Sequence, residues 1–431
     1  MAEALTKLTN PGARLRFLHA ADIHLDSPLR GLRTRAGDHG HEIADAPRLA
    51  FVKLVDFAIE QKIDLVLLAG DNWDGGHSDY GSLLFFADQM TRLNRQGIRV
   101  VMIQGNHDAE NQLRLTMPEN VRMMSSRGPH SEIFADLGVA IHGQSYPRRD
   151  VMENLASKYP AAKPGMLNIG LLHTAVTGHS GAHRNYAPCT IEDLRDKSYD
   201  YWALGHVHAR AELSRDPWVV YPGNLQTRMM REAGDKGATL VTVQHGRIES
   251  VEHVPLDVVR WLPAEVDMTG CTTRDGLAGR LTERLQDAVI AADGRMVVAR
   301  ISLTGTTELH QALKVNADRW IEAEIDRASL EFDNVWLEQV IVATRAAGAS
   351  RPADGDGLSE IERTVEALRT SAQERAWVRG QIGEVVEKLV PSLAELAGQG
   401  PDGEQVDQDV LLDSVLDDAR DMLLGRLGGR A

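Results

Sequence analysis

The amino-acid sequence predicts an α/β fold of two packed mixed sheets flanked by helices, followed by a small α+β domain and a C-terminal helical region. Three observations lead there. Up to about residue 250, short apolar runs alternate with helical patterns, the order that builds a largely parallel sheet with helices outside. Near residue 256 the texture changes to strand and helix patterns without clusters of reactive side chains. And 431 residues exceed one ordinary core, so two or three domains are expected.

The elements follow in order. Arg14–Ala20, Ile63–Ala69, Arg99–Gln104, Met166–Leu172 and Asp200–Leu204 are short and apolar, as strands buried on both faces should be. Leu49, Val52, Ala58 and Ile59 give a helical pattern between the first two, and Leu83–Leu93 another between the next two. Trp218–Val243, with Tyr221-Pro222-Gly223-Asn224, reads as antiparallel strands and turns. This first domain spans 1–255. In 256–345, strands at Arg260–Met268, Met296–Leu303 and Val335–Thr344 alternate with a helix through Leu277, Leu281 and Leu285 and a helical segment from Leu309 to Lys314. A Gly, Ala, Pro and Asp-rich linker covers 346–357. Residues 358–431 hold a helix through Leu358, Ile361, Val365 and Leu368 and on to Leu389, a stop or kink at Pro391, a break at Gly398–Gly403, and an amphipathic helix over Asp407–Leu427.

Composition narrows the function classes. The chain is 43% apolar and 25% charged, as soluble globular proteins are. No apolar run approaches the roughly 20 residues that span a bilayer, the first residues lack a signal-peptide pattern, and Cys189 and Cys271 are too few for a disulfide framework. A cytoplasmic location is expected. The net charge of −15 argues against a generally basic nucleic-acid coat, although residues 351–431, with 17 acidic and 9 basic side chains, carry −8 of it.

Five motifs close the predicted strands: Asp22-Ile23-His24, Gly70-Asp71-Asn72-Trp73-Asp74, Gly105-Asn106-His107-Asp108, His173-Thr174 and Gly205-His206-Val207-His208. Ligands of open α/β sheets bind beyond the carboxyl ends of strands. In extended backbone, side chains at i and i+2 share a face, so Asp22 with His24, or His206 with His208, can supply two ligands to one metal or one to each of two. Asp71 can bridge two cations, Asn106 offers a neutral oxygen, and His173 another imidazole. Two carboxylates, one carboxamide and four imidazoles suit divalent manganese, with iron or zinc feasible. Two ions about 3.5–4 Å apart would orient a phosphoester, neutralise its charge and lower a water pKa to near 7. His107 is the candidate proton donor to the leaving oxygen, and Asp74 could hold that imidazole and set its tautomer.

The motif set resembles the calcineurin-like metallophosphoesterases, whose fold is a four-layer sandwich. Phe17-Leu18-His19-Ala20-Ala21-Asp22-Ile23-His24-Leu25-Asp26-Ser27-Pro28 is similar to the opening of the DNA-repair exonuclease branch, which holds the SbcD, Mre-type and YhaO-like groups. Tyr201–His208 and Tyr221-Pro222-Gly223-Asn224 resemble the YhaO-like group. The likeness covers about 14–245, and 256–345 only as a family-like capping domain. It implies two manganese ions, one surrounded by Asp22, His24, Asp71 and His208, the other by Asp71, Asn106, His173 and His206. It implies that His107 is the catalytic histidine. It leaves Asp74 less fixed, since family members carry Asp or His there, and it sets Asn72-Trp73 apart from the usual apolar pair. The implied partners are DNA and a coiled-coil ATPase of the SbcC or YhaN type, docked through C-terminal helices; a homodimer is a further expectation, and a membrane is not.

Other residues have plainer alternatives. His19 sits within a strand and reads as a packed core histidine. His142 is a further histidine near the motifs. His179 and His183, in the loop after His173, could touch a substrate phosphate or belong to a solvated loop. Arg30, Arg33 and Arg35 after the first motif, and Arg184 after the fourth, could hold DNA phosphates or be ordinary surface charge. The expected activity is a manganese-dependent DNA exonuclease or endonuclease acting in repair. Its rivals are a phosphodiesterase or phosphatase for nucleotides or other small phosphoesters, with the same chemistry, and a non-catalytic scaffold, which the intact ligand set argues against. The C-terminal helices either dock a partner or pack on their own domain.

Overall fold

The computed structural model describes residues 14–27, 40–74, 80–110, 117–179, 185–314, 334–347 and 357–380 apart from 372 and 379, with single positions at 323, 327, 412, 416 and 419. The chain divides into two compact units, residues 1–228 with 234–260, and residues 229–233 with 261–431.

In chain order the first unit holds β1 (Arg14–Ala20), α1 (Gly40–Glu60), β2 (Leu65–Ala69), α2 (Tyr80–Arg95), β3 (Arg99–Ile103), β4 (Val121–Met123), β5 (His130–Phe134), β6 (Val139–Gly143), β7 (Leu167–His173), α3 (Ile191–Arg195), β8 (Tyr201–Gly205), β9 (Ala211–Arg215), β10 (Trp218–Tyr221), β11 (Gly237–Gln244) and β12 (Arg247–Pro255). They form two six-stranded mixed sheets, ordered β12-β11-β1-β2-β3-β4 and β5-β6-β7-β8-β10-β9. β1 to β4 run parallel, and β11 adds antiparallel to β1. β6, β7, β8 and β10 run parallel, with β5 and β9 antiparallel at the edges. The Trp218–Val243 stretch is therefore not one antiparallel run. Its first strand pairs parallel with β8 in one sheet, and its last pairs with β1 in the other.

The apolar runs lack period-2 alternation because both faces of these strands are covered. Between the sheets lie Phe17, Leu65, Leu67, Val101, Ile141, Ile169, Leu171, Ala203 and Val241. The intervening residues Leu18, Val66, Leu68, Val100 and Met102 face outward against Phe51, Leu54, Phe86 and Met90 of α1 and α2. On the far side of the second sheet, Trp202 and Leu204 pack with Tyr146, Tyr159, Leu194 and Tyr199. Each fully buried Leu, Ile or Phe contributes about 1.5–3 kcal/mol.

His19 belongs to this core. It is fully buried, its Nε2 donates to the Leu204 carbonyl at 3.0 Å, and the Tyr201 hydroxyl is 3.1 Å from its Nδ1. Burial pushes its pKa from 6.5 down to about 3. Between those values the unfolded chain binds a proton that the folded one refuses, so stability rises with pH across the window and is lost as pH falls through it. At pH 5, 1.5 units below the unfolded value, the loss is about 2 kcal/mol. His19→Gln is therefore expected to lose less stability than the parent between pH 7 and pH 5 in urea titrations. Equal losses would show that His19 does not titrate this way.

The second unit holds β13 (Val259–Asp267) from Trp261 onward, its first two residues belonging to the first unit, then α4 (Arg274–Ala292), β14 (Met296–Thr304), β15 (Thr306–Thr307), β16 (Val335–Val342), β17 (Arg345–Ala346) and α5 (Gly357–Thr370). Its main sheet is ordered β13-β14-β16, with β14 and β16 parallel, and α4 packs Leu277, Leu281 and Leu285 on Val297, Ala299, Ile301 and Leu303. Thr273 caps α4 by accepting from the Gly276 amide. Val365 of α5 clusters with Leu412 and Leu416, so part of its apolar face is spent within the unit. Among the described residues, no helix is long and apolar enough to cross a membrane.

Candidate metal centre

Five strand ends converge in the first unit. β1, β2 and β3 deliver Asp22, Asp71 and Asn106 from one sheet, and β7 and β8 deliver His173 and His206 from the other. Backbone bonds bind the loops together: the amides of Asp22, His24 and Leu25 donate to the carbonyls of Gly70, Asp71 and Asn72, each at 3.0 Å. The Thr174 amide donates to Gly205 at 3.1 Å, and the Asn224 amide to the His208 carbonyl at 3.2 Å. Asp22, His24, Asp71 and His206 all have positive φ, at 51, 46, 51 and 102°. Left-handed backbone at non-glycine residues costs of order 1–3 kcal/mol each and persists where the surroundings impose it. Here the strain turns four side chains out of their strands toward one point.

The side chains that meet are those the motifs singled out. Among the described residues, ligand atoms of Asp22, His24 and His208 lie within 4.8 Å of one another, as do those of Asp22, Asp71 and His173, and those of His24, Asp74 and His107. His173 Nε2 is 3.3 Å from Asp71 Oδ2 and 3.1 Å from Asn106 Oδ1. His208 Nε2 is 4.0 Å from Asp22 Oδ1. His206 gives its amide to Asp22 at 3.0 Å, and its ring lies 5.3 Å from that of His173 and 5.8 Å from that of Tyr186.

The donor set suits a divalent first-row ion. His24 and His173 each spend Nδ1 on an outer oxygen, Asp74 Oδ1 at 2.9 Å and the Ala69 carbonyl at 2.9 Å. That pattern fixes the tautomer and turns Nε2 inward, as metal-binding histidines require. Among the described residues, His24 Nε2 is buried without a hydrogen-bond partner, a lone pair suited to a cation. Burial pushes the Asp22 carboxyl up to about 7. Burial would also raise Asp71, but the His173 imidazole outweighs it and holds Asp71 well below the usual range, while Asp71 in turn carries His173 up to about 9 against burial.

Asp74 is more widely shared than a dyad with His107. Its Oδ1 bonds His24 Nδ1 at 2.9 Å and Arg228 Nη1 at 3.2 Å, with His107 Nδ1 at 3.4 Å. Burial opposes its ionisation, but His24 and Arg228 hold its pKa below the usual carboxylate range. Asp26 fixes its backbone, Oδ1 accepting the Asp74 amide at 2.6 Å.

Three structural supports were not singled out in the sequence. Asp108 is fully buried and accepts from Gly105 N, Asn72 Nδ2 and Trp73 N at 3.0, 3.0 and 2.9 Å, tying the Asn106–His107 loop to the Asp71–Asp74 loop. This explains Asn72: a carboxamide bonds a buried carboxylate where an apolar side chain would not. Tyr146 donates to the His173 carbonyl at 2.8 Å, and buried Lys236 to that of His208 at 2.9 Å. His142 bonds Ser131 and Asn168 instead of the centre. His179 is exposed and joins none of the metal-type clusters found among the described residues. His183, Arg30, Arg33, Arg35 and Arg184 lie outside the described residues.

The model of the calcineurin-like phosphoesterase family matches residues 15–210, and that of the metallophosphoesterase YhaO middle domain matches 261–345. The uncharacterized metallophosphoesterase YhaO of Bacillus subtilis (strain 168) is 36% identical over 330 residues, 75% of this chain and 80% of that protein. The DNA double-strand break repair protein Mre11 of Methanopyrus kandleri is 24% identical over 424 residues, 88% of this chain and 87% of that one. A crystal structure of a dimetal phosphatase from Danio rerio covers 56% of this chain and 97% of its own, at 12% identity and a TM-score of 0.33.

Proposed function

This chain belongs to the calcineurin-like metallophosphoesterases, and on that premise we propose that it is a two-metal phosphodiesterase that cleaves DNA in repair. The observation that carries hydrolysis is the pair of clusters, Asp22-His24-His208 and Asp22-Asp71-His173, joined through one carboxylate. With Asn106 and His206 at their border, these side chains would hold two divalent ions, manganese first, with iron or zinc also feasible for this mixed donor set. Such ions neutralise phosphate charge and bring a water pKa to near 7. The rest falls to the chain. His107, 30% exposed at the rim, gives the leaving oxygen its proton. Asp74 keeps that imidazole turned. Asp108 keeps its loop against the loop of Asp71.

What supports DNA is the likeness over most of the chain to a protein named for DNA double-strand break repair. The partner in this reading is a coiled-coil ATPase of the SbcC or YhaN type, engaged by surface of the C-terminal helices in the cytoplasm. The acidic balance of −15 favours the rival substrate, a nucleotide or other small phosphoester. Labelled single- and double-stranded DNA, incubated with Mn²⁺, Mg²⁺ or chelator beside bis(p-nitrophenyl) phosphate, separates the two. The DNA reading expects Mn²⁺-dependent shortening of DNA, lost with chelator. Turnover of the small ester with intact DNA would overturn it in favour of the rival.

A further inference from the structure

We infer that Arg228 is a positioning residue for His107, clamping Asp74 so that one carboxylate oxygen serves His24 and His107 together. The inference rests on the phosphodiesterase reading above. It begins with how Arg228 reaches the centre, 154 positions from Asp74 in the chain. Its segment is pinned on several sides. Asn224 bridges to Ala21, next to Asp22, and its amide bonds the His208 carbonyl at 3.2 Å. Buried Gln226 donates to the Val259 carbonyl at 2.6 Å and accepts the Val258 amide at 2.9 Å. A segment anchored to two ligand loops thus sets the guanidinium, 13% exposed, against Asp74, 17% exposed.

The carboxylate has competing claims. Its Oδ1 is 2.9 Å from His24 Nδ1, a hydrogen bond, but 3.4 Å from His107 Nδ1, only ion-pair distance. A carboxylate free to swing would settle on His24 and leave His107 unsupported. Arg228 Nη1, 3.2 Å from the same oxygen, holds it where both imidazoles reach it. A guanidinium is a planar, rigid fork, whereas an ammonium fixes distance but not orientation. An ion pair that merely stabilises the fold needs no seat between two site imidazoles.

The test uses leaving groups. A nitrophenolate departs without a proton, whereas the alkoxide of a thymidine oligonucleotide needs one. With Mn²⁺-loaded full-length protein, Arg228→Met is expected to lower kcat on the oligonucleotide about 10–100-fold and on bis(p-nitrophenyl) phosphate no more than about threefold, with little change in KM. Arg228→Lys, which keeps the charge and guards against a folding failure, should show a smaller loss with the same selectivity. His107→Ala reports on the reading beneath: it should show the same selectivity with a loss of about 10²–10⁴. If His107→Ala is selective but both Arg228 variants lose activity equally on the two substrates, or lose it through KM, the positioning role is wrong. If His107→Ala is unselective, the leaving-group role falls and the positioning role with it.

Discussion

Asp71→Asn is expected to lower manganese-dependent phosphodiester hydrolysis by about a thousandfold or more. The substitution keeps shape: the His107 amide donates to Asp71 Oδ1 at 2.9 Å, and an asparagine oxygen can accept the same bond. What it removes is the carboxylate charge at the point where the two loop sets meet, 3.3 Å from His173 Nε2. Stabilisation of transition-state charge by a bound ion is worth several kcal/mol. Losing about 4 kcal/mol is about three powers of ten in rate. Binding should fail with activity. At a Mn²⁺ concentration of about 100 times Kd the parent gains about 2.7 kcal/mol, a rise in Tm of about 5–10 °C for a unit of this size. The variant should gain little of it. Circular dichroism checks the fold, and calorimetry with and without Mn²⁺ reads the binding. A variant that hydrolyses like the parent, or keeps the full rise in Tm, would show that Asp71 holds no ion.

The first unit was legible because its strands are buried on both faces. Leu65 to Ala69, short, apolar and flanked by Asp64 and Gly70, reads as a central strand, and the polar residue that ends such a run lies at the ligand side of the sheet. The pairing of Trp218–Tyr221 with β8 was not legible, since four apolar residues after a turn carry no information about which sheet receives them. The same limit hid Arg228 and Lys236, which come from segments without a motif. Asp74 is offered by the sequence as a partner for His107 from its place three residues after Asp71. Its shorter bond goes to His24, fifty positions away, because the left-handed turn at His24 brings Nδ1 round to it. Asp108 stood in plain view within Gly105–Asp108, but a carboxylate beside a candidate acid invites a chemical role, and its three donors are visible only in three dimensions.

Gly205→Ala should be among the damaging single methyl groups of the first unit, and the one that acts directly on the centre. Gly205 ends β8 where the second sheet meets the first, and a Cβ there would lie 2.1 Å from the Ala69 carbonyl oxygen and 2.8 Å from His173 Nδ1. The obstacle is backbone from another strand, so no rotamer relieves it. Overpacking of this kind costs about 1–3 kcal/mol, and disturbing the 2.9 Å bond from His173 Nδ1 to Ala69 adds about 1 kcal/mol. A loss of about 3 kcal/mol corresponds to a fall in Tm of about 6–12 °C. Relief must move either β8, which carries His206 and its amide bond to Asp22, or β2, which carries Asp71. A displacement near 1 Å costs about a hundredfold in rate, so kcat should fall well before the temperature at which the protein melts. Gly128→Ala is the control: an added Cβ there meets nothing within 4 Å, and stability should stay within about 0.5 kcal/mol. If Gly205→Ala melts and turns over like Gly128→Ala, the sheets have room to part at their ends, and the closeness of Gly205 to Ala69 does not set the spacing of the centre.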